Sequence, residues 1–263
     1  LLSATLIASG LTLTGAVNAQ EELTFAHVYE TSEPYHEWAL WAADEIEERT
    51  DGRYSINVHA ASSLGKESDI NEGLQLGTVD LIYYGRRHVT SNKPINTPED
   101  MQDLKIRTPN APMYMMFPEA VGANPTPIAF SEVYLALQQG VVDAQENPLP
   151  TIRAKAFHEV QDYINLTGHI TDSLITIAGG PLWNRLSEED REIFREVYTE
   201  AGERITQDIL ASEDELVAWF EEQGVTVNEV DVAPFREATM SAHNGEAATW
   251  DQETYDRLQA IGQ

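Results

Sequence analysis

The sequence predicts an α/β protein, a mostly parallel sheet with helices on its faces. Three observations carry this. Short runs of alternating apolar and polar residues interleave with helical patterns, so that strand, helix, strand, helix and strand follow one another between residues 23 and 83. Apolar residues make up 42% of the chain, with 5 Trp, 10 Tyr and 7 Phe, enough for a real core. A helical pattern from Ser187 to Gly224 contains no proline and is long for a globular helix. At 263 residues the chain is long enough for one large domain or two smaller lobes.

Taken in order, residues 1–19 read as the remnant of a secretory signal. Leu6 to Val17 is apolar and small, with Val17 and Ala19 at the −3 and −1 positions of a cleavage site. The run is too short and too rich in Ser, Thr and Gly for a spanning helix. An exported chain beginning near Gln20, without cysteine, suits a bacterial periplasm. Leu23 to Val28 alternates as a first strand, and Tyr29 to Tyr35 is a polar turn. A helix with Trp38, Leu40, Trp41, Ala43 and Ile46 follows and stops at Thr50-Asp51-Gly52. Tyr54 to His59 is the second strand, Lys66 to Leu76 the second helix and Val79 to Tyr83 the third strand. In such sheets ligands sit beyond the carboxyl ends of the strands, which makes His27, Tyr29, Glu30 and Glu67 candidates.

Beyond residue 86 the pattern changes. A strand at Val89-Thr90-Ser91 follows with no helix between, and Thr97-Pro98-Glu99-Asp100 reads as a helix start. Leu104, Ile106 and Thr108 alternate as a strand ending at Pro109, so Arg107 leaves it on the opposite face. A guanidinium at a strand end, beside Asn110 in a Pro-bounded turn, suits bidentate capture of a carboxylate; a surface salt bridge fits the same spacing. Met113 to Val121 is a short helix kinked at Pro118, and Pro127 to Phe130 is extended. Ser131 is expected to cap a helix from Glu132 to Gln139 closed by Gly140. Val141 to Ala144 then forms a strand whose end presents Gln145-Glu146-Asn147-Pro148. The chain is helical from Pro150 to about Val160, then extended at Tyr163–Asn165 and again at Leu174–Ile177. Ser187-Glu188-Glu189-Asp190 caps the long helix, and Val225-Thr226-Val227 and a polar segment follow.

Composition removes whole classes of function. With no cysteine there is no disulfide scaffold, thiolate zinc site or cysteine nucleophile. Sixteen Lys and Arg against 44 Asp and Glu leave a net charge of −28, which opposes binding to nucleic acid or to an anionic membrane. An acidic, well-hydrated surface of this kind also suits solubility at high salt. Nucleotide loops, nucleophile elbows and zinc-hydrolase spacings do not occur. His158-Glu159 reads as a solvated helix face. No cofactor is expected, and the residues give little reason to propose an enzyme.

Five stretches share a resemblance. Gln75-Leu76-Gly77-Thr78-Val79-Asp80, the run from Arg87 to Ile95, Leu104 to Asn110, Gly122 to Tyr134 and Val142 to Leu149 resemble the periplasmic solute-binding proteins of TRAP transporters, nearest the sialic-acid and sugar-acid binders. The resemblance spans essentially the whole chain after residue 19. It implies a two-lobe periplasmic binding protein fold with mixed, mostly parallel sheets, and the helix from Ser187 spanning both lobes. The lobes are expected at residues 20–85 with 173–212, and 86–172 with 213–263. In the family a strand-end arginine forms a two-pronged salt bridge with the substrate carboxylate, and it falls on Arg107. A second arginine falls on Arg87, the amide of the Gln-Glu-Asn-Pro motif on Asn147, and an aromatic wall on Phe130. Asn110 and Glu67 also fall at positions that line the site.

Two departures from the family follow. Relatives carry a few dozen more residues before Arg87, so a segment near residues 82–86 is expected to be missing. The first loop reads His27-Val28-Tyr29-Glu30-Thr31, and Glu30 there can accept hydrogen bonds from sugar hydroxyls. The expected function is reversible capture of a hexuronate such as D-glucuronate or D-galacturonate by a monomer. The ligand then passes to the TRAP membrane subunits. Alternatives are a C4-dicarboxylate or 2-oxo acid binder, or a secreted uronide hydrolase or lyase using His27, Glu30 and Glu146.

Overall fold

The computed structural model describes residues 20–76, 87–171, 176–240, 242–244, 248 and 250–261. The expected signal remnant, the third strand at Val79–Tyr83 and the segment junction near 82–86 lie outside the described residues. In the first body, β1 (Glu21–Ala26) and β2 (Tyr54–His59) pair in parallel, Leu23 opposite Ile56. The crossover is α1 (Pro34–Arg49), with Pro34 in the first turn, where its missing N–H costs nothing. It buries Tyr35, Ala39, Ala42, Ala43 and Ile46, one stripe of helical period. A second helix, α2 (Glu67–Leu76), follows β2.

The second body is one sheet of six strands in the order β5-β4-β6-β3-β7-β8. Its strands are β3 (Arg87–Ser91), β4 (Lys105–Thr108), β5 (Asn124–Pro127), β6 (Ala144–Asn147), β7 (Tyr163–Ile170) and β8 (Thr226–Asn228). Among the described strands only β3 runs antiparallel to its neighbours, β6 and β7; the other pairings are parallel. The sheet is therefore mixed and mostly parallel, as expected. Around it lie α3 (Pro112–Ala120), α4 (Val133–Gln138), α5 (Leu149–Ala154) and α6 (Gly180–Arg185), followed by α7 (Glu188–Glu222), α8 (Val232–Met240) and α9 (Gln252–Ile261).

The long helix α7 runs 35 residues and starts as expected, with the Ser187 hydroxyl accepting from the Asp190 N–H at 3.0 Å. Its first half buries Phe194, Val197, Ala201, Ile205 and Ile209 against β1, β2 and α1. Its second half places Leu216 and Phe220 in a different core with Phe130, Ile152, Phe157 and Ile164. One helix thus ties both bodies together. A third core, on the other side of the six-stranded sheet, holds Val89, Ile106, Phe117 and Phe235. Among the described residues no helix is long and apolar enough to cross a membrane.

Three local expectations are corrected. The strand expected at Val141–Ala144 begins instead at Ala144. Gly140 takes a left-handed φ of 67°, and the Val141 N–H closes onto the Ala136 carbonyl at 2.9 Å, so residues 140–142 finish α4 rather than join the sheet. Ser131 does not cap α4, because Phe130–Glu132 forms a 3-10 turn ahead of it. The helix expected to reach Val160 stops at Ala154, where Ala156 adopts φ 54° and a short 3-10 turn follows.

Candidate functional site

Arg107 lies on the penultimate residue of β4, 1% exposed, on the face away from Ile106. Its Nε donates to the Ile128 carbonyl at 2.8 Å, and Nη2 lies 3.8 Å from Glu67 Oε1, close enough for an ion pair but too long for a hydrogen bond. The guanidinium carbon sits 5.8 Å from the centre of the Phe130 ring. That ring is buried and also meets Tyr29 edge-on at 6.4 Å. Arg107, Glu67 and Phe130 are therefore brought together, from β4, α2 and the turn before α4.

Arg87 opens β3, next to β6 in the sheet, and is 2% exposed. Its Nε is ion-paired with Glu146 Oε2, while Nη2 donates to the Glu146 carbonyl at 2.9 Å and to Asn147 Oδ1 at 3.1 Å. The Tyr114 ring lies 4.9 Å from its guanidinium carbon. An isolated buried guanidinium would be costly; this one carries a carboxylate partner and two further acceptors. Arg87 thus enters as half of a buried ion pair rather than as a lone cation. Burial pushes the Glu146 carboxyl up, but Arg87 and then His169 outweigh it and hold it below its ordinary value. His169 Nε2 stands 3.6 Å from Glu146 Oε2, and its ring stacks on Phe117 at 4.1 Å. Glu146 Oε1 has no hydrogen-bond partner among the described residues.

Asn147 is held on both sides. It accepts from Arg87 and donates to Gln145 Oε1 at 2.5 Å, and Gln145 donates to Thr90 Oγ1 at 3.1 Å. This buried chain links β6 to β3, and Gln145 stands in register with Arg107 on the neighbouring β4. Such a chain fixes side-chain directions before any ligand arrives.

The first loop is held by contacts of its own. Glu30 is paired with Lys155 Nζ at 2.7 Å, and that ammonium lies 5.1 Å from the Phe130 ring centre. Nearby Glu33, 2% exposed, accepts from Thr151 Oγ1 at 2.6 Å and from the Glu30 N–H at 2.7 Å. Burial pushes the Glu33 carboxyl up to about 7. His27 is buried against His36, with Nε2 and Nδ1 3.1 Å apart; burial, and then His36, lower it to about 4. Asn110 is exposed in the bend after β4. No hydrogen bond joins His27 or Asn110 to the cluster among the described residues. Reading the sequence missed Lys155, Thr151, Glu33 and His169. The alternative acid/base set is not assembled either: His27 faces His36, Glu30 faces Lys155 and Glu146 faces Arg87.

The profile of the bacterial extracellular solute-binding proteins, family 7, matches residues 25–85 and 82–249. The two stretches meet where relatives are expected to carry more chain. The sialic acid-binding periplasmic protein of Vibrio cholerae is 41% identical over 180 residues, 65% of this chain and 56% of that protein. A solute-binding protein of Roseobacter denitrificans is 31% identical over 297 residues, 92% of this chain and 91% of that one. Its crystal structure with bound L-galactonate superposes with a TM-score of 0.84 at 30% identity, covering 93% of this chain and 99% of that one. A Polaromonas TRAP solute-binding protein bound to D-erythronate gives 0.87 at 27% identity, over 92% of this chain and 99% of that one.

Proposed function

Because this chain belongs to the family 7 extracellular solute-binding proteins of TRAP transporters, we propose that it captures a sugar acid outside the cytoplasm for the transporter's membrane subunits. The family is one of transport proteins, not enzymes. The observation that carries the reading is Arg107: a guanidinium buried at the end of β4, braced by Ile128 and set against Phe130. Its planar fork suits two parallel hydrogen bonds to a carboxylate in a site of low dielectric. At a net charge of −28 the long-range field repels an anion, so affinity has to come from such local donors. A hexuronate, D-glucuronate or D-galacturonate, fits the clamp and the polar first loop. An aldonate fits equally, and relatives crystallised with L-galactonate and D-erythronate favour it.

The lobes on this reading are residues 20–85 with 173–212, and 86–172 with 213–263. The change of core along α7 between Ile209 and Leu216 supports that boundary. The chain acts as a monomer, exported by the segment 1–19. A thermal-shift panel of aldonates, hexuronates, sialic acid and succinate tests the ligand class, since a ligand of the native state raises stability by mass action. Calorimetry with Arg107→Ala then tests the clamp. Loss of the buried charge-assisted pair should cost about 2–5 kcal/mol of binding. Unchanged affinity in Arg107→Ala, or succinate as the sole binder, would overturn the proposal.

A further inference from the structure

Two hydrogen-bonded pairs join the loop after β1 to α5, and so join the two-stranded body to the six-stranded one. Lys155 Nζ donates to Glu30 Oε1 at 2.7 Å, and Thr151 Oγ1 donates to Glu33 Oε2 at 2.6 Å. The partners are 125 and 118 residues apart in the chain. Thr151 and Lys155 stand four residues apart on one face of the α5 turn, where their side chains are neighbours. The loop they grip is internally braced: the Glu30 N–H donates to Glu33 Oε1 at 2.7 Å, and the Glu33 N–H to the Glu30 carbonyl at 3.1 Å. It therefore moves as a unit, carrying Tyr29, whose ring meets Phe130. Lys155 also lies against Phe130, the ring that carries Arg107.

We propose that Thr151 and Lys155 are positioning residues, a two-point latch that holds the Tyr29–Glu33 loop against Phe130 and keeps the two bodies closed over a bound ligand. Neither side chain needs to touch the ligand for this. The latch works through the loop, and its effect falls on release: a ligand held by Arg107 leaves when the bodies part, and the latch opposes parting. The proposal rests on the reading above that the bodies are lobes closing on a ligand.

The test uses the absence of cysteine. Cysteines placed at exposed Glu47 on α1 and exposed Asn124 on β5 carry spin labels, and pulsed electron paramagnetic resonance measures their separation in the ligand-free chain. Lys155→Met with Thr151→Val is expected to lengthen and broaden that distance distribution, and Lys155→Arg alone to leave it as in the wild type. With L-galactonate as probe, dissociation from the double variant should be about tenfold faster, the scale of one hydrogen bond to a charged group. A folded double variant with an unchanged distance distribution overturns the latch. If the double variant does not fold, Lys155→Met alone decides by the same distance, since its pair with Glu30 is partly exposed. If no acid in the panel binds, the ligand-free distance still decides. Failure of the latch and failure of the ligand class are therefore separate results.

Discussion

Glu33 and His27 make a pair of opposed pH effects that can be read as stability. Glu33 is raised from 4.5 to about 7 by burial, so between those values the folded chain holds a proton that the unfolded chain has released. Stability therefore falls as pH rises from 4.5 to 7, by about 3 kcal/mol at 1.36 kcal/mol per unit. His27 is lowered from 6.5 to about 4 by burial and by His36, so between those values the unfolded chain holds the extra proton. Its contribution to stability is complete above 6.5 and is lost on acidification to 4, again about 3 kcal/mol. From pH 4.5 to 6.5 the two slopes have opposite sign and nearly cancel. Glu33→Gln removes one of them. Urea unfolding at pH 5, 6, 7 and 8 should show the variant gaining on the wild type as pH rises to 7, then holding a constant lead. Taking the difference between the two proteins cancels the other titrating groups. In Glu33→Gln the slope of His27 then stands alone, with stability climbing from pH 4.5 to 6.5, and His27→Gln should show the reverse. A wild-type minus Glu33→Gln difference that stays flat from pH 4.5 to 8 would falsify the assignment.

Three further outcomes follow from named contacts. Glu146→Gln leaves the Arg87 guanidinium buried without its carboxylate, and urea unfolding at pH 7 should show a loss of about 3–5 kcal/mol. Asp190→Ala removes the acceptor for Arg53 at 2.6 Å and Ser187 at 2.7 Å, which ties the start of α7 to β2; thermal unfolding should report a loss of about 2 kcal/mol. Arg107→Lys keeps the charge but loses the fork, so calorimetry with the acid selected from the panel should show about 1.5–3 kcal/mol weaker binding.

What could be read from the sequence was what is decided locally. Alternation in Leu104, Ile106 and Thr108 sets the face from which Arg107 emerges, and the structure keeps Ile106 and Arg107 on opposite sides of β4. The cap at Ser187 and the apolar stripe of α7 are also local, and both appear as read. The strand at Val141–Ala144 failed for a local reason too: helix closure through Gly140 competes for the same backbone groups and wins. The partners of the charges could not be read in this way. Arg87 and His169 meet at Glu146 because β3 runs antiparallel between β6 and β7, an order that strand-helix-strand logic does not foresee.

The same limit explains Lys155, whose carboxylate is 125 residues away in the first loop. Set side by side, Arg107 with Glu67, Arg87 with Glu146 and Lys155 with Glu30 form three ion pairs of unequal quality. The Arg87 pair is fully buried and in direct contact, and the Lys155 pair is hydrogen-bonded. The Arg107 pair, at 3.8 Å to a partly exposed Glu67, is the loosest of the three. A carboxylate ligand competes with the protein's own carboxylates for these cations, and it displaces most cheaply the one held most weakly. On the proposed reading a ligand carboxylate would displace Glu67 before Glu30 or Glu146, an order set by the folded site that no local pattern in the sequence carries.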